Sequence, residues 1–228
     1  MRWITAFCAG LVLLPLPAAA TTAACLTTGP SLEQAGWEHL TYPHLKEIDF
    51  DRSQEGAIMV HAERATSILG IEAPVGLAWL SWSWRVDKPA PPTDLTARGQ
   101  DDRSLMVHVW VPFEASMELT LTPGLDGDGR LLTYVWGGTQ DKGALIRNPY
   151  MTYNGALIVL QPAGSPVGTW IEEVVDWRAD YQRAFGEAAP QTVPAIGLSA
   201  DTDDTGSLSF GQIRDICFQS DAPAASEP

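Results

Sequence analysis

Positive charge is what this sequence lacks most. It carries 14 Lys and Arg against 28 Asp and Glu, a formal net charge of -14. A surface of that sign repels a polyanion from every direction, which excludes nucleic acid as a partner and disfavours docking on anionic lipid. Histidine is scarce too. His39, His44, His61 and His108 form no His-x-x-x-His or His-Glu-x-x-His spacing, so zinc hydrolysis has no support. There is no Gly-x-Ser-x-Gly elbow, because Gly197-Leu198-Ser199-Ala200 lacks the second glycine. Gly124-Leu125-Asp126-Gly127 is acidic and offers no lysine to a phosphate. Beyond the first two dozen residues no run is long and apolar enough to cross a bilayer.

What is present begins with an export signal. Met1-Arg2 supplies a short positive start, and Trp3 to Pro17 is apolar but too short to span a membrane. Ala18-Ala19-Ala20 has the small-x-small pattern that a signal peptidase cuts, with a second site at Ala23-Ala24. We therefore read 1–20 as a signal peptide, with cleavage as late as 24, and expect a periplasmic or extracellular protein. Cys8 leaves with the signal. Cys25 and Cys217 then sit at opposite ends of the chain in an oxidising compartment. Three states stay open for them: a disulfide that pins terminal strands together, lipidation of Cys25, or two free thiols. The remainder divides into an N-terminal segment (21–35), one domain (36–219) and a polar tail (220–228) expected to be disordered. A monomer is expected.

Within that domain the apolar period is two. Leu105, Val107, Val109, Val111 and Phe113 share one face of a strand, and Met106, His108 and Trp110 share the other. The aliphatic face belongs in a core; the mixed face fits a groove or solvent. Gly76 to Val86 and Leu132 to Trp136 repeat the pattern, with Leu80, Trp82, Trp84 and Val86, and then Leu132, Tyr134 and Trp136, on single sides. Further strands are expected at 57–62, 66–71, 156–161, 170–175, 193–200 and 210–218. Between them lie turn residues such as Gly137-Gly138 and Asp204-Thr205-Gly206. One amphipathic helix is expected near 176–186, capped by Asp176, striped by Trp177, Tyr181 and Phe185, and ended by Gly186. That stripe reads as core packing. Residues 89–103 read as a long polar loop. The fold class is mainly β: a single-domain β-sandwich or jelly roll with one short helix.

Several blocks are familiar. Trp82-Ser83-Trp84-Arg85-Val86, Asp101-Asp102-Arg103, Leu132-Thr133-Tyr134-Val135-Trp136 and Gly168-Thr169-Trp170 occur in order. Asp180-Tyr181, Phe185-Gly186, Asp201-Thr202-Asp203-Asp204-Thr205-Gly206 and Asp215-Ile216-Cys217-Phe218 follow. On these blocks the chain resembles the bacterial family called domain of unknown function 3047. The resemblance implies an exported protein and supplies no activity. The closing Asp-Ile-x-Phe strand is also similar to the last strand of galactose-binding-like jelly rolls, which implies that fold and, by analogy, carbohydrate binding.

Carboxylates are the abundant reactive groups. Asp101 and Asp102 adjoin in a loop, while Asp201, Asp203 and Asp204 crowd after a strand. Hard cations take oxygen ligands from such short acidic stretches, so Asp201, Asp203 and Asp204 are a candidate Ca2+ set, with Asp126 and Asp128 a weaker one. The competing reading is that these aspartates cap turns. Indoles stack on the apolar faces of sugar rings. If their strands are neighbours, Trp82, Trp84, Tyr134 and Trp136 would form a platform with Asp101, Asp102 and Arg103 at its edge. The plainer alternative buries those rings in the sandwich. The sequence thus points to an exported, non-catalytic module that binds a saccharide or cell-envelope polymer. Two alternatives remain: a glycan-acting enzyme pairing Asp101 or Asp102 with Asp201 or Asp203, and a structural envelope protein without a small ligand.

Overall fold

Alternating side chains need two surfaces to face, and this chain supplies two stacked sheets. The structure is a computed structural model that describes residues 22–26, 28–73, 76–113, 129–189 and 195–222. In chain order the strands are β1 (Ala23–Cys25), β2 (Glu38–Leu40), β3 (Asp49–Arg52), β4 (Ile58–Glu63) and β5 (Thr66–Glu72). Next come β6 (Trp79–Lys88), β7 (Arg103–Pro112), β8 (Gly129–Trp136), β9 (Leu145–Arg147), β10 (Gly155–Gln161) and β11 (Ile171–Asp176). Helix α1 (Trp177–Phe185), β12 (Ala195–Asp201) and β13 (Leu208–Gln219) complete the set. One sheet has six strands in the order β11-β6-β13-β4-β3, with β1 added on β13; the other has seven, β2-β5-β12-β7-β8-β10-β9. The pairs are antiparallel except β8 with β10, which run parallel. Among the described residues the architecture is therefore mainly β with a single short α-helix, as the period-two pattern requires.

The core lies between the sheets. From the six-stranded sheet come Leu80, Trp82, Trp84, Val86, Ile213 and Phe218; from the other come Leu105, Val107, Val109, Leu132, Tyr134, Trp136, Ile196 and Leu198. The four candidate stacking rings are here, and none is more than 2% exposed. Trp82 lies 5.4 Å from Tyr134 and Trp84 lies 5.5 Å from Trp136, centroid to centroid. The surface-platform expectation is thus corrected. It required β6 and β8 to be neighbours in one sheet, whereas they belong to opposite sheets, so their aromatic faces meet across the interior. Buried indoles need acceptors: Trp84 Nε1 donates to Glu173 at 3.2 Å and Trp177 Nε1 to the Leu77 carbonyl at 2.8 Å.

Helix α1 follows its sequence signals closely. Asp176 accepts from the Ala179 amide at 2.9 Å, and Gly186 stops the helix at φ 78°, a left-handed conformation that glycine adopts without strain. Trp177 and Tyr181 bury their rings in the core, and Tyr134 donates its hydroxyl to Asp180 at 3.0 Å.

The two chain ends meet. Cys25 and Cys217 are register partners across β1 and β13 and form a disulfide. This removes the lipidated and free-thiol alternatives, because the sulfur a lipid would need is already bonded. The Ser220 amide donates to the Thr22 carbonyl at 3.0 Å, so 22–25 belong to the sandwich rather than to a separate segment, and the pairing of β1 with β13 runs on into Ser220. The signal peptide, the Asp126 and Asp128 turn and the last six residues lie outside the described residues.

Replacing Trp84 with alanine removes a fully buried ring held between Trp82 and Trp136 and should cost about 3–5 kcal/mol of stability. Denaturant unfolding measures it; a loss below about 1 kcal/mol would mean the ring is not a core element.

Candidate functional site

The outward face of the seven-stranded sheet is where β7 turns its mixed side. Met106 and His108 point away from the core, beside Ser199 of β12, Ile68 and Thr66 of β5, and Leu131 of β8. Together they floor a cleft of about 360 Å3. Tyr42 and Leu45, from the connection between β2 and β3, form one wall. Asn148, Tyr150 and Met151, between β9 and β10, form the other. Arg98, Arg103, Asp201, Asp203 and Asp204 close one end. Residues 89–103, expected to be a long polar loop, seat Leu95 on the same outer face against Met106 and Val135, which narrows the sheet's open part to this cleft, and Arg103 already belongs to β7.

His108 is the centre of the floor. Its Nδ1 lies 2.8 Å from Thr133 Oγ1 and its Nε2 lies 2.6 Å from Ser199 Oγ, so both ring nitrogens are held by hydroxyls on the flanking strands. Burial, helped by the Arg103 charge, pushes its pKa down to about 3. The ring is a neutral hydrogen-bonding post. Gly197 stands opposite it in register, and a Cβ there would come within 2.8 Å of Ile68 Cγ2 and 3.3 Å of His108. Glycine at this position keeps the floor open.

At the acidic end, strand pairing joins two clusters nearly a hundred residues apart. Arg103 opens β7 and is the register partner of Asp201, the last residue of β12. Its Nη2 donates to Asp101 Oδ2 at 2.6 Å and to Asp201 Oδ2 at 2.8 Å. Burial raises the pKa of both aspartates; Arg103 opposes the rise, while Asp204 near Asp101 and Asp203 near Asp201 reinforce it. Asp102 has a different task. Its carboxylate accepts from the amides of Asp204 at 3.2 Å and Thr205 at 3.0 Å, from the Thr205 hydroxyl, and from Ser207 Oγ at 3.3 Å. It caps the turn that carries the acids.

The structure therefore gathers Asp101, Asp102 and Arg103 with Asp201, Asp203 and Asp204, and separates all six from the four buried rings. The candidate Ca2+ set also changes composition. Carboxylate oxygens of Asp102, Asp201 and Asp203 lie within 4.8 Å of one another, while Asp204 turns toward Asp101 and accepts from the Tyr150 hydroxyl at 3.3 Å. Sequence reading missed the walls. Tyr42 and Tyr150 sit in loops with no period to mark them. Burial raises the Tyr42 pKa, and burial likewise pushes the Tyr150 phenol up to about 12. Tyr150 stays 40% exposed, with the Arg98 guanidinium 4.8 Å over its ring.

Residues 35–217 match the family described as protein of unknown function (DUF3047). The chain belongs to that family. No curated protein matches it in sequence. Among solved structures, it is similar to the family 11 carbohydrate-binding module of a cellulosomal cellulase of Clostridium thermocellum. The TM-score is 0.42 at 8% identity, over 88% of this chain and 95% of that one. A family 29 carbohydrate-binding module gives a TM-score of 0.40 at 7% identity, over 89% of this chain and 90% of that one. Another family 29 module, a mutant complexed with cellulohexaose, gives 0.40 at 8% identity, over 88% and 92%. These likenesses are distant.

The neutral state of His108 has a measurable consequence. An unfolded histidine titrates near about 6.5, whereas the folded ring resists protonation down to about 3. Its contribution to stability is thus complete above the unfolded pKa and is lost as pH falls through that window. Asp101 and Asp201, with raised pKa values, act in the opposite sense, and that effect is shared by a His108→Gln variant. The variant's unfolding free energy should therefore fall less steeply with acid, by about 1.4 kcal/mol per pH unit. Urea denaturation at about pH 5 and about pH 7 reads the difference; equal slopes would place the titrating histidine elsewhere.

Proposed function

We propose that this protein is an exported, non-catalytic module that binds a saccharide in the cleft on the outer face of its seven-stranded sheet. The observation that carries the reading is the cleft's lining. Apolar Leu45, Ile68, Met106, Leu131 and Met151 alternate with Thr66, Asn148, Ser199 and the acids, beneath the rings of Tyr42 and Tyr150. A sugar ring presents apolar C–H faces and a hydroxyl rim, and this mixture suits both. The site also stands on strands, which are held in place by pairing on both sides.

The enzyme alternative gains less from the geometry. Glycoside cleavage places two carboxyls on opposite sides of the scissile bond, whereas here the acids collect at one end around Arg103. Ser199 and His108 have the spacing of a nucleophile and base. Yet Ser199 lies inside β12, which is paired on one side with β5 and on the other with β7, so strand amides are engaged in pairing rather than free for an oxyanion. A base with its pKa near 3 also accepts a proton poorly at neutral pH.

Export is consistent with the disulfide, and among the described residues no helix is long and apolar enough to cross a membrane. Cleavage after residue 24 would discard most of β1, so cleavage after Ala20 is the expected event. Intact mass of the exported protein should place its N-terminus at Thr21.

Calorimetric titration of the oxidised protein with soluble envelope and plant polysaccharides tests the binding reading. Calorimetry is preferable to tryptophan fluorescence because the indoles of Trp82, Trp84 and Trp136 lie in the core. One glycan should bind saturably without being cut on prolonged incubation. Tyr150→Ala should weaken it about tenfold while leaving the melting temperature in place. Silence across the panel would favour a structural or protein-binding role, and release of reducing ends would make the protein an enzyme.

A further inference from the structure

The acidic end of the cleft is short of positive charge. Asp101, Asp102, Asp201, Asp203 and Asp204 converge there, and Arg103 is the cation among them, already bonded to Asp101 and Asp201. Arg98 lies over the Tyr150 ring instead. An independent observation points the same way. Asp101 is fully buried, and its Oδ1 has no hydrogen-bond partner among the described residues, while its near neighbour is another carboxyl, Asp204, on the cleft wall. A buried carboxylate oxygen facing a second carboxylate is costly unless one of the two takes a proton, the direction in which the Asp101 pKa is moved, or something positive comes between or beside them.

We propose that this end of the cleft is a subsite for a protonated amine, so that the saccharide taken here carries free amino groups, as an oligomer of glucosamine does. The proposal rests on the saccharide reading and narrows it to one chemical class. An ammonium group brings three N–H donors on a compact charge, matching acceptors that Asp203 and Asp204 present at the rim. The neighbouring apolar floor of Ile68, Met106 and Leu131 can take the ring's C–H face. A divalent metal fits less well. Asp102 already accepts four hydrogen bonds, and the Arg103 guanidinium lies 2.8 Å from Asp201, where it would repel a dication about twice as strongly as a monocation at the same distance.

The experiment is calorimetric titration of the oxidised protein with four probes: glucosamine oligomers, neutral cello-oligosaccharides of equal length, the alkyl diamine cadaverine, and Ca2+ alone. Glucosamine oligomers should bind at least about tenfold more tightly than the neutral ones. That preference should shrink about tenfold in Asp203→Asn and, separately, in Asp204→Asn, two acids at the rim rather than in the core, with melting temperatures held. It should also fall with added salt. Equal affinity for neutral and amino sugars overturns the amine subsite and leaves the saccharide reading standing. Binding of cadaverine with no sugar bound supports the amine subsite and removes the saccharide. No binding by any probe overturns both, and saturable binding of Ca2+ that blocks the amines overturns the proposal in favour of a metal.

Discussion

The contact on which the functional face depends is the buried guanidinium of Arg103. It stands at the first residue of β7, next to the last residue of β12, and bonds one carboxylate from its own loop and one from the partner strand. Two ions taken from water repay their desolvation only when geometry and extra hydrogen bonds are good, so such a cluster is poor evidence of stability for its own sake. What it does supply is position. Arg103 ties Asp101 and Asp201 together at the end of one sheet. With it, the turn after β12 is brought against the loop before β7, and Asp102 then caps that turn through four acceptor contacts. The acidic end of the cleft is a product of strand register.

The rest of the face follows from the pleat. A strand puts successive side chains on opposite sides, and β7 uses both. Leu105, Val107 and Val109 complete the core, while Met106 and His108 make the floor. The same two-sidedness explains the fate of the aromatics. Trp82 and Trp84 share one face of β6, and Tyr134 and Trp136 share one face of β8, and each face is the inner one. Paired rings at 5.4 and 5.5 Å then lock the sheets together. In this sandwich large aromatics hold the sheets apart at the right spacing, and the cleft on the outer face is left to tyrosines, a histidine, aliphatic and polar residues.

How much of this was legible beforehand depends on whether the signal was periodic. The long strands, the helix with its Asp176 cap and Gly186 stop, and the two-faced character of β7 could be read because each rests on local spacing. The short edge strands β2, β3 and β9 could not, since three or four exposed residues show no alternation. The acid clusters were visible as residues, but their meeting was not, because the pairing of β12 with β7 is a long-range choice that local pattern does not encode. Same-face aromatics were equally visible, and there the pattern was ambiguous in principle. Alternation says that Trp82 and Trp84 share a side without saying which side the second sheet will cover. Tyr42 and Tyr150, set in loops, carried no pattern at all.

These points bear on what kind of ligand the face can take. A floor made of paired strands does not reshape itself to a guest, so recognition must be by complementarity already present. That floor offers a neutral histidine fixed by two hydroxyls, a gap kept open by Gly197, and an apolar strip beside them. None of these attracts an ion. The charge lies at one end, where the aspartates outnumber the arginine that organises them. A ligand matching the whole cleft is therefore polar along its rim, apolar on its face and positive at one end. An anionic polymer would meet the overall negative charge first and the acidic end last, and each encounter would oppose it.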